Sequence, residues 1–106
     1  HSCGFIRPII PDLVELGVDA INPMQSSNGV PELKAEFGKR LTFCGGFDNQ
    51  HVFDNIFANE EEIREEVRRV YKSLMPGGSY VAFIMTFSDR SMKIINDELK
   101  KLQKTI

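Results

Sequence analysis

The chain has 106 residues, of which 42% are hydrophobic and 26% charged, with a net charge of −2. That size allows at most one ordinary domain, and the balance is that of a globular chain rather than a disordered or fibrous one. A weakly acidic chain without basic clusters argues against a nucleic-acid partner, and apolar runs far below the ~20 residues of a membrane span argue against insertion. The two cysteines, Cys3 and Cys44, do not make a disulfide framework, so we read both as reduced and the protein as cytoplasmic.

His1-Ser2-Cys3-Gly4 opens the chain. In an extended segment, residues i and i+2 share a face, so the imidazole of His1 and the thiol of Cys3 project together. Nitrogen and sulfur of this kind are zinc ligands. The pair stands at the first residue with no initiator Met, which leads us to expect a piece of a longer protein.

Ile9, Ile10, Leu13, Val14 and Leu16 follow at helical spacing within 6–16, with Pro8 and Pro11 in the opening turns and Gly17 as the stop. Residues 18–23 read as a short strand closed by Asn22-Pro23. After the polar loop from Gln25 to Gly29, Pro31 opens a helix running to Phe37, stopped by Gly38. Residues 41–46 read as the next strand, leading into Phe47-Asp48-Asn49-Gln50, and 51–58 as a loop or short turn.

Asn59, with Glu62 three residues on, predicts the N-cap of a long helix whose apolar face is Ile63, Val67, Val70, Tyr71 and Leu74. Its Arg and Glu residues read as a solvated face. Pro76-Gly77-Gly78 ends it. Residues 79–87 are the most strand-like run, apolar enough to predict a strand covered on both faces. Ser88 or Ser91 then starts a last helix, with Met92, Ile95, Leu99, Leu102 and Ile106 on one stripe.

Alternating strands and helices predict βαβ units with right-handed crossovers. Three strands are complete, and residues 1–4 read as the tail of a fourth. The polar candidates His1/Cys3, Asn22/Gln25, Cys44/Asp48/Gln50 and Thr86 all fall at strand ends, the layout of a β/α barrel. The expectation is one partial domain over 1–106: about the last four β/α units of a (β/α)8, or TIM-type, barrel with parallel strands. An open parallel sheet of about four strands is the other architecture this pattern allows.

Beyond these patterns, the ordered series His1-Ser2-Cys3-Gly4, Gly17-Val18-Asp19-Ala20-Ile21-Asn22-Pro23, Phe37-Gly38-Lys39-Arg40, Phe43-Cys44-Gly45-Gly46-Phe47-Asp48 and Pro76-Gly77-Gly78-Ser79-Tyr80 resembles the C-terminal half of the uroporphyrinogen decarboxylase superfamily. The resemblance implies a β/α barrel and leaves two activities open. Corrinoid-linked methyltransferases of the superfamily move a methyl group from a corrinoid protein to a thiol and hold zinc through a His-x-Cys pair and a later Cys. The decarboxylases act on a tetrapyrrole, in porphyrin biosynthesis, without a metal. His1-Ser2-Cys3 looks like the methyltransferase pair and places the chain nearer that branch.

That reading implies His1 and Cys3 as metal ligands, zinc as the metal, and a corrinoid partner protein as methyl donor. The family's third cysteine follows the last strand, where this chain has Phe83-Ile84-Met85-Thr86-Phe87-Ser88 instead; Cys44 is the substitute we expect, with Met85 a feeble one. Asp48 is the implied catalytic residue at the floor of the site. Asn22, Gln25 and Gln50 are candidates for binding substrate, a small-molecule thiol or a tetrapyrrole.

The family's Arg and Asp that handle acid groups belong to its other half, so this chain alone is expected to be inactive. A half-barrel also leaves strand edges unpaired, which predicts a self-assembling homo-oligomer.

Overall fold

A computed structural model describes residues 1–104. Ile106, expected on the last apolar stripe, lies outside the described residues. Three parallel strands form one sheet: β1 (Ala20–Met24), β2 (Thr42–Gly45) and β3 (Tyr80–Val81), adjacent in chain order. Four helices accompany them: α1 (Ile10–Glu15), α2 (Val30–Phe37), α3 (Glu60–Leu74) and α4 (Asp89–Gln103). The α/β reading with parallel strands holds. The sheet is open, with three strands rather than four.

Each crossover carries a helix, α2 between β1 and β2 and α3 between β2 and β3. Right-handed crossovers between strands taken in order put both helices on one face of the sheet. The core lies there: Ile21 and Phe43 from the strands pack with Val30, Leu33 and Phe37 of α2 and with Ile63, Val67, Val70 and Leu74 of α3. Phe43 is 0% exposed, and the Lys34 ammonium of α2 lies 6.0 Å from its ring centroid.

The helix boundaries follow local chemistry. Asn59 accepts from the Glu62 N–H at 2.8 Å, as the cap pattern predicts, and the expected apolar face of α3 is buried throughout. Ser88, not Ser91, caps α4, its hydroxyl accepting from the Ser91 N–H at 3.1 Å. Ser91 is instead buried and donates to the Phe53 carbonyl at 2.6 Å. The first helix is shorter than expected. Residues 7–9 form a 3-10 turn, and of the apolar stripe only Ile10 is fully buried, with Ile9 and Leu16 exposed.

Two strand expectations are corrected. Only Tyr80 and Val81 of the run 79–87 pair with β2. After Val81 the Phe83 N–H bonds back to the Val81 carbonyl at 2.8 Å, and β2 itself ends at Gly45, followed by Gly46 at φ +82°, so the ladder does not extend through 82–87. Nor is the run covered on both faces: Val81 is 51% and Phe87 99% exposed. Residues 1–4 are not a strand. One bond, from the Ser2 N–H to the Asn22 carbonyl at 3.2 Å, ties them to β1.

Candidate functional site

Side chains alternate across a pleated strand. Ile21 is in register with Phe43, and both face the helices. Asn22 and Cys44 therefore take the opposite face, where Cys44 is in register with Val81. On that face Asn22 Oδ1 is buried and has no hydrogen-bond partner among the described residues. Cys44 lies on the face of the sheet opposite the helices. Burial there pushes its thiol pKa up, so the neutral thiol is favoured.

His1 and Cys3 come together as the i, i+2 spacing predicts. Cys3 Sγ lies 3.6 Å from His1 Nε2, both residues are exposed, and both cysteines are free thiols. Ligand distances of about 2.0 Å to nitrogen and 2.3 Å to sulfur span an edge of about 3.5 Å in a tetrahedron, so these two atoms fit adjacent positions on one zinc ion. Among the described residues, no group of three or more His, Cys, Asp and Glu is gathered as a metal centre. Cys44 is accordingly not assembled with the pair.

The segment bearing the pair is held from the loop after β1. The Gln25 side-chain carbonyl accepts from the Gly4 N–H, and Asn28 bonds to Gly4, Ile6 and Arg7. Gln25 also lines a small cavity of about 20 Å³ at the C-terminal ends of the strands, with Pro23, Met24, Gly45, Gly46, Phe47, Asn49, Phe83 and Met85. That is room for about one water molecule. Met85 therefore reaches the strand-end cleft beside Met24, but among the described residues no thiol or imidazole lines it.

Asp48 caps the turn Asn49–Phe53. Its carboxylate accepts from the His51 N–H at 2.9 Å, and His51 Nδ1 lies 3.2 Å from both of its oxygens. Its own N–H donates to Glu66 Oε2 at 2.7 Å. Gln50 is exposed on the same turn, outside the cavity wall. Thr86 is held by the Asp54 carboxylate, which also accepts from the Phe87 N–H at 2.9 Å.

Three residues that sequence reasoning passed over carry much of this arrangement. Asn28 is 0% exposed and holds the N-terminal segment. Glu66 is buried and receives the Asp48 N–H as well as Arg69 Nε at 2.7 Å. Tyr80 donates its hydroxyl to the Gly45 carbonyl at the end of β2, and burial, then the nearby Cys44 and Glu66, push its pKa up. Among the described residues, no helix is long and apolar enough to cross a membrane. No family model, curated protein or solved structure matches this chain.

Proposed function

We propose that His1 and Cys3 are two ligands of a zinc site, and that the chain is part of a corrinoid-linked methyltransferase related to the uroporphyrinogen decarboxylase superfamily. The observation that supports this reading is the 3.6 Å separation of His1 Nε2 and Cys3 Sγ, which fits a tetrahedral edge. Strands taken in chain order, with the candidate residues at their C-terminal ends, are also what an arc of a β/α barrel requires.

In this reading His1 and Cys3 hold the metal beside the end of β1, and Asn22 Oδ1 is a free acceptor for a donor on the substrate. When bound, zinc supplies a lowered pKa for a coordinated substrate thiol. Methyl transfer then forms a sulfur–carbon bond, breaks the carrier–methyl bond and releases the thiol proton to solvent. The methyl donor is a corrinoid on a partner protein and the acceptor is a small-molecule thiol. Two reduced cysteines suit a cytoplasmic setting.

Zinc analysis of protein purified without chelator tests the metal: less than about one tenth of an equivalent sinks the reading.

A second reading is favoured by the exposure of Val81 and Phe87 and by the unpaired run after β3. In it the open half-barrel assembles with a second copy through its strand edges. A monomeric mass by light scattering at micromolar concentration refutes it.

A further inference from the structure

Asn28 ends the 3-10 turn Ser26–Asn28, and its side chain is fully buried. Its Oδ1 accepts from the Ile6 N–H at 2.7 Å and the Arg7 N–H at 2.9 Å. Its Nδ2 donates to the Gly4 carbonyl at 3.0 Å and the Gln25 carbonyl at 3.0 Å. A carboxamide has two acceptor sites and two N–H donors, so all its capacity is used. Three of the four partners belong to residues 4–7, and the fourth is Gln25, three residues back in the loop after β1.

We propose that Asn28 is the positioning residue for the His1–Cys3 donor pair. The proposal rests on the reading of that pair as a metal half-site. Residues 1–6 have no helix or ladder of their own. The peptide planes around Cys3 are fixed from outside: the His1–Ser2 plane by Asn22, the Cys3–Gly4 plane by Gln25 and the Gly4–Phe5 plane by Asn28. Asn28 also pins the Ile6 and Arg7 amides, and Ile6 is the first residue of the chain to enter the core. It is a fully buried side chain that ties the donor segment to the loop after β1, and it contributes no ligand atom. Outer-shell groups of this kind set how well ligands are oriented.

The test uses the full chain. Zinc affinity is measured by competition with a chromophoric chelator for the wild type, Asn28→Ala and Asn28→Asp, while amide hydrogen exchange is followed by NMR. A mild core substitution, Ile63→Val, serves as a control that loosens packing without touching the segment. We expect Asn28→Ala to lose protection at Ile6 and Arg7, keep it in α3 and α4, and bind zinc about 10–100-fold more weakly. Ile63→Val should bind as the wild type does.

Where Asn28→Ala does not fold, Asn28→Asp carries the test. It keeps both acceptor contacts and loses both donor contacts, so Ile6 and Arg7 stay protected while zinc affinity still falls. Wild-type zinc affinity in the variant that folds overturns the proposal. If the wild type itself takes up no zinc, the metal reading fails. The positioning role is then decided by exchange alone, read at the Ile6 and Arg7 amides in Asn28→Ala and, where only Asn28→Asp folds, at the Gly4 amide: unchanged exchange there overturns it, and lost protection supports it.

Discussion

Glu98 on α4 is buried between two arginines of α3, with Oε1 3.0 Å from Arg64 Nη1 and Oε2 3.1 Å from Arg68 Nε. These bonds join the two longest helices. Burial alone raises the Glu98 pKa, but the bonds from Arg68 and Arg64 outweigh it, and the net shift is downward. A depressed carboxylate pKa stabilises the fold above the unfolded value, here 4.5, and that contribution is lost as pH falls through the folded value. Urea midpoints should therefore drop between neutral pH and about pH 3, and the drop should be smaller in Glu98→Gln. Parallel pH profiles for the two proteins would show that Glu98 is not the group responsible.

Gly46 ends the turn that stops β2, at φ +82°, and a Cβ there would come within 2.7 Å of Leu74 Cδ1. Gly46→Ala has to bear both left-handed backbone strain and a displaced Leu74 in the core. We expect a loss of about 1–3 kcal/mol, which is roughly 5–15 °C in Tm for a domain of this size. Gly17→Ala is the comparison: φ is +88° but no atom lies within 4 Å, so only the strain applies. Equal Tm losses would show that the contact with Leu74 contributes nothing.

Cys3 is exposed, whereas Cys44 is buried on the face opposite the helices with its thiol pKa raised by that burial. Since the thiolate is the reactive form, iodoacetamide at neutral pH in the presence of chelator should label Cys3 at least about tenfold faster than Cys44. Peptide mass mapping over time reads both rates. Faster labelling of Cys44 would mean that this face is open to solvent.

The long helices were legible because periodicity and caps agreed: Asn59 and the buried stripe of α3 lie where the spacing put them. The run 79–87 misled because its apolar character says nothing of how far β2 extends beside it: β2 ends at Gly45, and the Phe83 N–H turns back to the Val81 carbonyl. Glu66 was misread as part of a solvated face, and Glu98 was passed over. Both fall inside an apolar i, i+3, i+4, i+7 pattern: Ile63, Glu66, Val67, Val70 and Ile95, Glu98, Leu99, Leu102. An acid within such a stripe signals a buried, paired carboxylate, and each has an arginine partner.

At the candidate site, the closeness of His1 and Cys3 was readable from a two-residue spacing. The support from Gln25 and Asn28 was not, because it joins segments more than 20 residues apart. The position of Cys44 on the face opposite the helices likewise depended on the strand register with Val81, which one sequence leaves open.

The most direct measurement is a Co(II) titration of the reduced protein, followed in the near ultraviolet, where a thiolate–cobalt bond absorbs. The account predicts saturation at about one equivalent, displacement by zinc, and loss of the band in Cys3→Ser, with weaker binding in His1→Ala. A spectrum without a thiolate band, or one unchanged by Cys3→Ser, would contradict it.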